Sequence, residues 1–106
     1  MIPLNPVART ILEQLGGNKF IVMTGAKSFV QTDRALYMII PMGPGRGRRM
    51  FRVELADNDT YRVRLSRLRP GKRQPEVETI AAQDDVYCDM LAAVFERMTG
   101  LRTRLF

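Results

Sequence analysis

The alternation of apolar and polar residues between Arg49 and Leu68 is the strongest constraint on how this chain folds. Phe51, Val53 and Leu55 recur at every second position, as do Tyr61, Val63 and Leu65, and the polar stretch Ala56-Asp57-Asn58-Asp59 separates the two runs. A period of two sends successive side chains to opposite faces of a strand, and a short polar interruption between two such runs marks a hairpin. The apolar residues then face a core, while Arg52, Glu54, Arg62, Arg64 and Ser66 point to the other face of the sheet. An earlier hairpin is expected from Phe29 and Val30, the polar turn Gln31-Thr32-Asp33-Arg34, and the run Leu36 to Ile40. Pro41 to Gly47 is too rich in Pro and Gly to continue a strand and reads as a mobile connector. Pro70-Gly71-Lys72-Arg73 breaks the sheet again, before a short edge strand over Glu76 to Ile80.

Before residue 28 and after residue 83 the period is helical. Asn5 is a capping residue, Pro6 suits a first turn, Val7, Ile11, Leu12 and Leu15 share a face, and Gly16 and Gly17 end the helix. Residues 18–25 are ambiguous, because Phe20 to Met23 is an apolar run short enough for a strand. The setting favours a helix: Asn18 offers a second cap, and Met23-Thr24-Gly25 repeats the tripeptide Met98-Thr99-Gly100 that closes the last element. For that last helix, Asp84 and Asp85 are read as the acidic start, Val86, Tyr87, Met90, Leu91, Val94, Phe95 and Met98 as an apolar stripe, and Gly100 as the stop. A chain of 106 residues, 45% hydrophobic, can build one core and is too short for two. The expectation is a single α+β domain over residues 1–106: an antiparallel β-sheet of four to five strands, from two hairpins, with the N-terminal and C-terminal helices packed on one face.

Charge is distributed unevenly along this fold. Between Arg46 and Arg73 lie ten of the seventeen Lys and Arg residues, opposed by only Glu54, Asp57 and Asp59, so the segment carries a charge of +7 within a chain of net +6. A basic surface of this kind concentrates polyanions, which points to DNA, RNA or an acidic protein surface as partner. No apolar run approaches the roughly 20 residues that span a bilayer, and the first residues lack the charged then apolar pattern of a secretory signal. The single cysteine, Cys88, cannot form an internal disulfide and suits a reducing compartment. No membrane partner is expected, and the cytoplasm of a bacterial host is the expected location.

The stretches Asn5-Pro6-Val7-Ala8, Leu15-Gly16-Gly17-Asn18-Lys19-Phe20, Met23-Thr24-Gly25-Ala26-Lys27-Ser28-Phe29, Asp59-Thr60-Tyr61, Asp85-Val86-Tyr87 and Thr99-Gly100-Leu101 together resemble a family of small, uncharacterised proteins encoded by bacteriophages, prophages and plasmids. The resemblance spans nearly the whole chain. Its most specific part is the block from Leu15 to Phe29. It implies a mobile-element setting and brings no catalytic residues with it.

Elimination argues against an enzyme. The chain has no His, which removes the commonest general base, and one Cys cannot form a thiolate cluster for zinc. Asp84, Asp85 and Asp89 have the chemistry to hold a hard cation, but acids at a helix start more often serve the cap and dipole. Cys88, beside the apolar stripe and next to Asp89, is expected to be inert packing. Gly43 to Arg48 is glycine-rich, yet it lacks the Gly-Lys-Ser/Thr ending of a phosphate-binding loop. Neither a metal nor an organic cofactor is expected.

Two non-enzymatic functions fit the composition. In the first, Arg46, Arg48, Arg49, Arg52, Arg62, Arg64, Arg67 and Arg69 hold phosphates of DNA or RNA, with Tyr37 or Tyr61 as a stacking residue. Guanidinium forks pair bidentately with phosphate and stack on bases. No recognition helix is visible, so such binding would be largely independent of sequence. In the second, the chain inhibits a host defence protein, its arginines and Met42 or Met50 engaging an acidic or apolar surface, in keeping with the enrichment of Arg and Met at interfaces.

Overall fold

Asn5 starts the first helix as its residue type implies, and it also joins that helix to the sheet. In the computed structural model, which describes residues 4–41, 48–69, 76–101 and 103, its side-chain oxygen accepts from the N–H of Ala8 at 2.8 Å. Its side-chain Nδ2 donates to the Thr32 carbonyl at 2.8 Å, and its backbone N–H donates to Gln31 Oε1 at 2.8 Å. Helix α1 runs over Pro6–Leu15 and buries Ala8, Ile11, Leu12 and Leu15. Residues 18–25 resolve as the favoured helix: α2 spans Asn18–Thr24. Its cap, however, is Gly17 at φ 63°, with Asn18 the first helical residue. A side chain at the capping position would be strained by that positive φ, so glycine takes the place expected for Asn18.

Five strands follow, β1 Lys27–Gln31, β2 Ala35–Pro41, β3 Arg48–Leu55, β4 Tyr61–Arg69 and β5 Glu76–Val86, in the spatial order β1-β2-β3-β4-β5 with every pair antiparallel. The alternation legible in the sequence holds: Leu36, Met38, Ile40, Phe51, Val53, Tyr61, Val63 and Leu65 are buried on one face. Helices α1 and α3 (Leu91–Thr99) cover that face, which makes the fold the expected α+β arrangement of a five-stranded sheet with helices on one side. Phe95 lies at the centre, its ring edge-on to Phe20 and to Phe51 with centroids 4.8 Å apart in both cases.

The C-terminal half departs from expectation in one respect. Asp84 and Asp85 do not start a helix: β5 runs on through them to Val86, which is fully buried opposite Tyr61. A 3-10 turn at Cys88–Met90 comes before α3. The strand extends because β4 supplies a ladder for it, and Asp84 finds an ion partner on β4 (below), a long-range gain that local capping preference does not register. As a result Tyr87 and Met90, expected in the apolar stripe, are exposed, and so is Cys88, expected to be packed. Leu91, Val94 and Phe95 keep their place in the core.

The repeated Met-Thr-Gly is the same helix ending built twice. The hydroxyl of Thr24 donates to the Phe20 carbonyl at 2.7 Å and accepts from the N–H of Ala26 at 3.2 Å. Thr99 does likewise with Phe95 at 2.8 Å and Leu101 at 3.1 Å. In both, the glycine that follows is left-handed, φ 72° at Gly25 and 76° at Gly100, and its N–H returns to the carbonyl four residues back.

Candidate nucleic-acid interface

The face of the sheet turned away from the helices carries the candidate residues in cross-strand rows. Tyr37, Arg52 and Arg64 stand opposite one another on β2, β3 and β4, and Ala35, Glu54 and Arg62 form the next row. Towards the other end come Ile39, Met50 and Ser66, then Pro41, Arg48 and Leu68. The Arg52 guanidinium lies over the Tyr37 ring, 5.4 Å from its centroid.

Part of the charge on this face is already neutralised, three of its arginines sharing two carboxylates. Arg52 pairs with Glu54 at 2.7 Å, Arg62 reaches the same carboxylate at 3.6 Å, and Arg64 pairs with Asp84 at 2.8 Å. Arg64 is further held by the carbonyls of Val63 at 2.9 Å and Gln83 at 3.5 Å, so it ties β4 to β5. Among the described residues, Arg48, Arg49 and Arg67 form no ion pair.

This difference follows from the up-and-down order of the strands, which gathers alternate turns at opposite ends of the sheet. At one end lie the β1–β2 turn, the β3–β4 turn and the end of β5, bringing Asp33, Glu54, Asp57, Asp59, Asp84 and Asp85 together against Arg34 and Arg62. An open cleft of about 240 Å³ there is lined by Ala56, Asp57, Asn58, Thr60, Arg62, Asp84 and Asp85. At the other end stand Lys27, Arg48, Arg49, Arg67 and Arg69, with Glu76 and Glu78. The fold therefore separates charge along the strands.

The structure brings together only part of the arginine set assembled from sequence. Arg48, Arg52, Arg62 and Arg64 share the open face. Arg49 and Arg67, directly opposite each other in the ladder, have the parity of Phe51 and Leu65 and so lie on the helix-bearing side, at the basic end. Arg69 closes β4 at that end. Arg46, Met42 and the Gly-Arg connector lie outside the described residues. The grouping by end was within reach of the sequence, since Asp57 and Asp59 in one turn already contrast with Arg67 to Arg73 at the next. The alternation already placed Glu54 on one face with Arg52 and Arg62, whereas Asp84 was missed as a partner because pairing it with Arg64 requires the β4–β5 register.

Tyr61 is not a stacking residue: it is buried, 5% exposed, and its hydroxyl donates to Gln14 Oε1 at 2.7 Å. Its parity with Val63 and Leu65 turns it into the core. Burial raises its pKa above the ordinary 10.0, with Cys88 adding to the rise and the Gln14 hydrogen bond working against it. The folded state thus favours the neutral phenol, and the stability this contributes is complete below the unfolded pKa and is lost as pH rises through the folded one. Tyr61→Phe is expected to cost about 0.5–1.5 kcal/mol at neutral pH. It should also flatten the fall in stability above about pH 10, measured by urea unfolding across that range; an unchanged alkaline limb would contradict the assignment. Tyr37 is partly exposed beside Arg52.

Among the described residues no cluster of three or more His, Cys, Asp or Glu is arranged to hold a metal ion, and no helix is long and apolar enough to cross a membrane. Comparison with protein-family models, curated proteins and solved structures gives no match.

Proposed function

We propose that the protein is a non-enzymatic accessory factor of a phage or other mobile element, binding DNA or RNA in the cytoplasm of a bacterial host. The observation that carries this reading is that Arg48, Arg49 and Arg67, at one end of the sheet, form no ion pair among the described residues, although Glu78 stands opposite Arg67 in the ladder, whereas Arg52, Arg62 and Arg64 are held by Glu54 and Asp84. Two arginines directly opposite in a ladder repel each other unless an anion comes between them. Phosphates are such anions, and the chain's overall charge of +6 draws them in. The resemblance to mobile-element proteins supplies the setting, and the lack of His in the sequence, with no metal-holding cluster among the described residues, supports a role in binding over one in catalysis.

The test is fluorescence anisotropy of labelled oligonucleotides of unrelated sequence, titrated with the protein from about 0.05 to 0.2 M salt, with polyglutamate as competitor. Each phosphate neutralised releases counterions, so affinity is expected to fall linearly on a log–log plot with a slope set by the number of contacts. Unrelated sequences should bind alike. No binding at the lowest salt would sink the proposal. Displacement by polyglutamate as effective as by unlabelled oligonucleotide would turn the same arginines towards an acidic protein surface, the inhibitor reading.

A further inference from the structure

The open face of the sheet offers more than positive charge, and its shape and chemistry select among nucleic acids. Five strands spaced about 4.8 Å apart span roughly 19 Å, which is wider than the roughly 12 Å major groove of B-form DNA. The face therefore cannot enter that groove to read or grip base edges. A duplex laid on it would offer sugar and phosphate alone. Yet the half of this face nearest the basic end is mostly apolar and aromatic: Pro41, Ile39 and Tyr37 run up β2, and beside them Arg48, Met50 and Arg52 run up β3. Apolar side chains and a ring gain nothing from phosphates; they gain from the faces of unpaired bases.

We infer that this face binds single-stranded nucleic acid in preference to duplex, its phosphates held from Arg48 at the basic end and its bases laid over Ile39, Met50 and the Tyr37–Arg52 pair. The inference rests on the nucleic-acid reading above. Charge also sets the bounds of the path. Beyond Arg52 the arginines are already engaged by Glu54 and Asp84, and the acidic turns of that end follow, so a strand carrying a phosphate at every nucleotide is held on the basic half. Arg52 is already fixed over the ring and against Glu54, so the guanidinium and phenol form a platform made in advance of binding.

The experiment compares a single strand with a duplex of the same sequence and length, by anisotropy at constant salt, for the unaltered protein, Tyr37→Ala and Arg48→Gln. The single strand is expected to bind at least tenfold more tightly. Tyr37→Ala should weaken the single strand roughly 5- to 100-fold, the equivalent of one lost stacking contact, and leave the duplex unchanged, whereas Arg48→Gln should weaken both. Tyr37 lies outside the core, so circular dichroism and the melting temperature should be preserved in its variant; Tyr37→Phe, which keeps the ring, should retain binding and guards against a misfolded alanine form. Equal or tighter binding of the duplex, or a Tyr37→Ala loss shared by both, would overturn the inference while leaving the broader reading standing. Absence of binding to either would overturn both.

Discussion

Phe95→Ala is expected to destabilise the protein by about 3–5 kcal/mol, the range for deleting a fully buried aromatic ring. The ring is 0% exposed and touches Phe20 from α2 and Phe51 from β3 edge-on, so its loss opens a cavity where helix, helix and sheet meet. Edge-to-face pairs add about 0.5–1.5 kcal/mol each beyond the area they bury, and two are lost together. Domains of this size have about 5–15 kcal/mol in all, so the variant should unfold at markedly lower urea concentration and temperature. Phe95→Leu, which keeps most of the volume, should cost less. A loss below about 1 kcal/mol for the alanine variant would mean that the ring is not the keystone described here.

The division of charge along the sheet makes a second large effect measurable. Changing Arg48, Arg49 and Arg67 to Gln lowers the net charge by three, and so does changing Arg52, Arg62 and Arg64. Net charge alone predicts the same consequence for nucleic-acid binding. The structure predicts different ones. The first set has no carboxylate partner among the described residues and is expected to flatten the salt dependence by about 2–3 in log–log slope, at 0.7–0.9 per contact. The second set is already engaged by Glu54 and Asp84, so its removal should change the slope little. Circular dichroism would show that each triple variant still folds, which matters most for Arg64 with its hold on β5. Equal flattening by the two sets would show that total charge governs binding and that the ends of the sheet do not matter.

Much of the fold was legible because its determinants are local. The alternation in Phe51 to Leu65, the caps at Asn5, Gly25 and Gly100, and the polar turn at residues 56–59 each act within a few residues. The favoured helical reading of residues 18–25 rested on the Met-Thr-Gly echo, and the structure gives that echo a physical meaning in matched threonine and glycine hydrogen bonds. What was not legible depends on partners distant in sequence. Asp84 and Asp85 look like a helix start until β5 is laid beside β4 and Arg64, twenty residues before Asp84, comes within ion-pair distance of it. The eight arginines look like one patch until the β3–β4 register shows which side of the sheet Arg48, Arg49, Arg52, Arg62, Arg64 and Arg67 occupy and the strand order shows which end. Tyr61 failed as a stacking candidate for a simpler reason: its alternation with Val63 and Leu65 already assigned it to the core.

Gathering acids at one end of the strands and arginines at the other has a kinetic consequence. Near an extended anion the two ends feel forces of opposite sign, so the molecule experiences a torque as well as a pull, and it turns while still diffusing. The turning acts over about a Debye length, some 8–10 Å at physiological salt, and it raises the share of collisions that arrive basic end first. If the protein binds a polyanion as proposed, its encounters would be oriented before contact, and a bound molecule would hold its carboxylates, Asp57, Asp84 and Asp85 among them, away from the anion. Neighbouring copies along one strand would then present an outward fringe of negative charge to whatever approaches next.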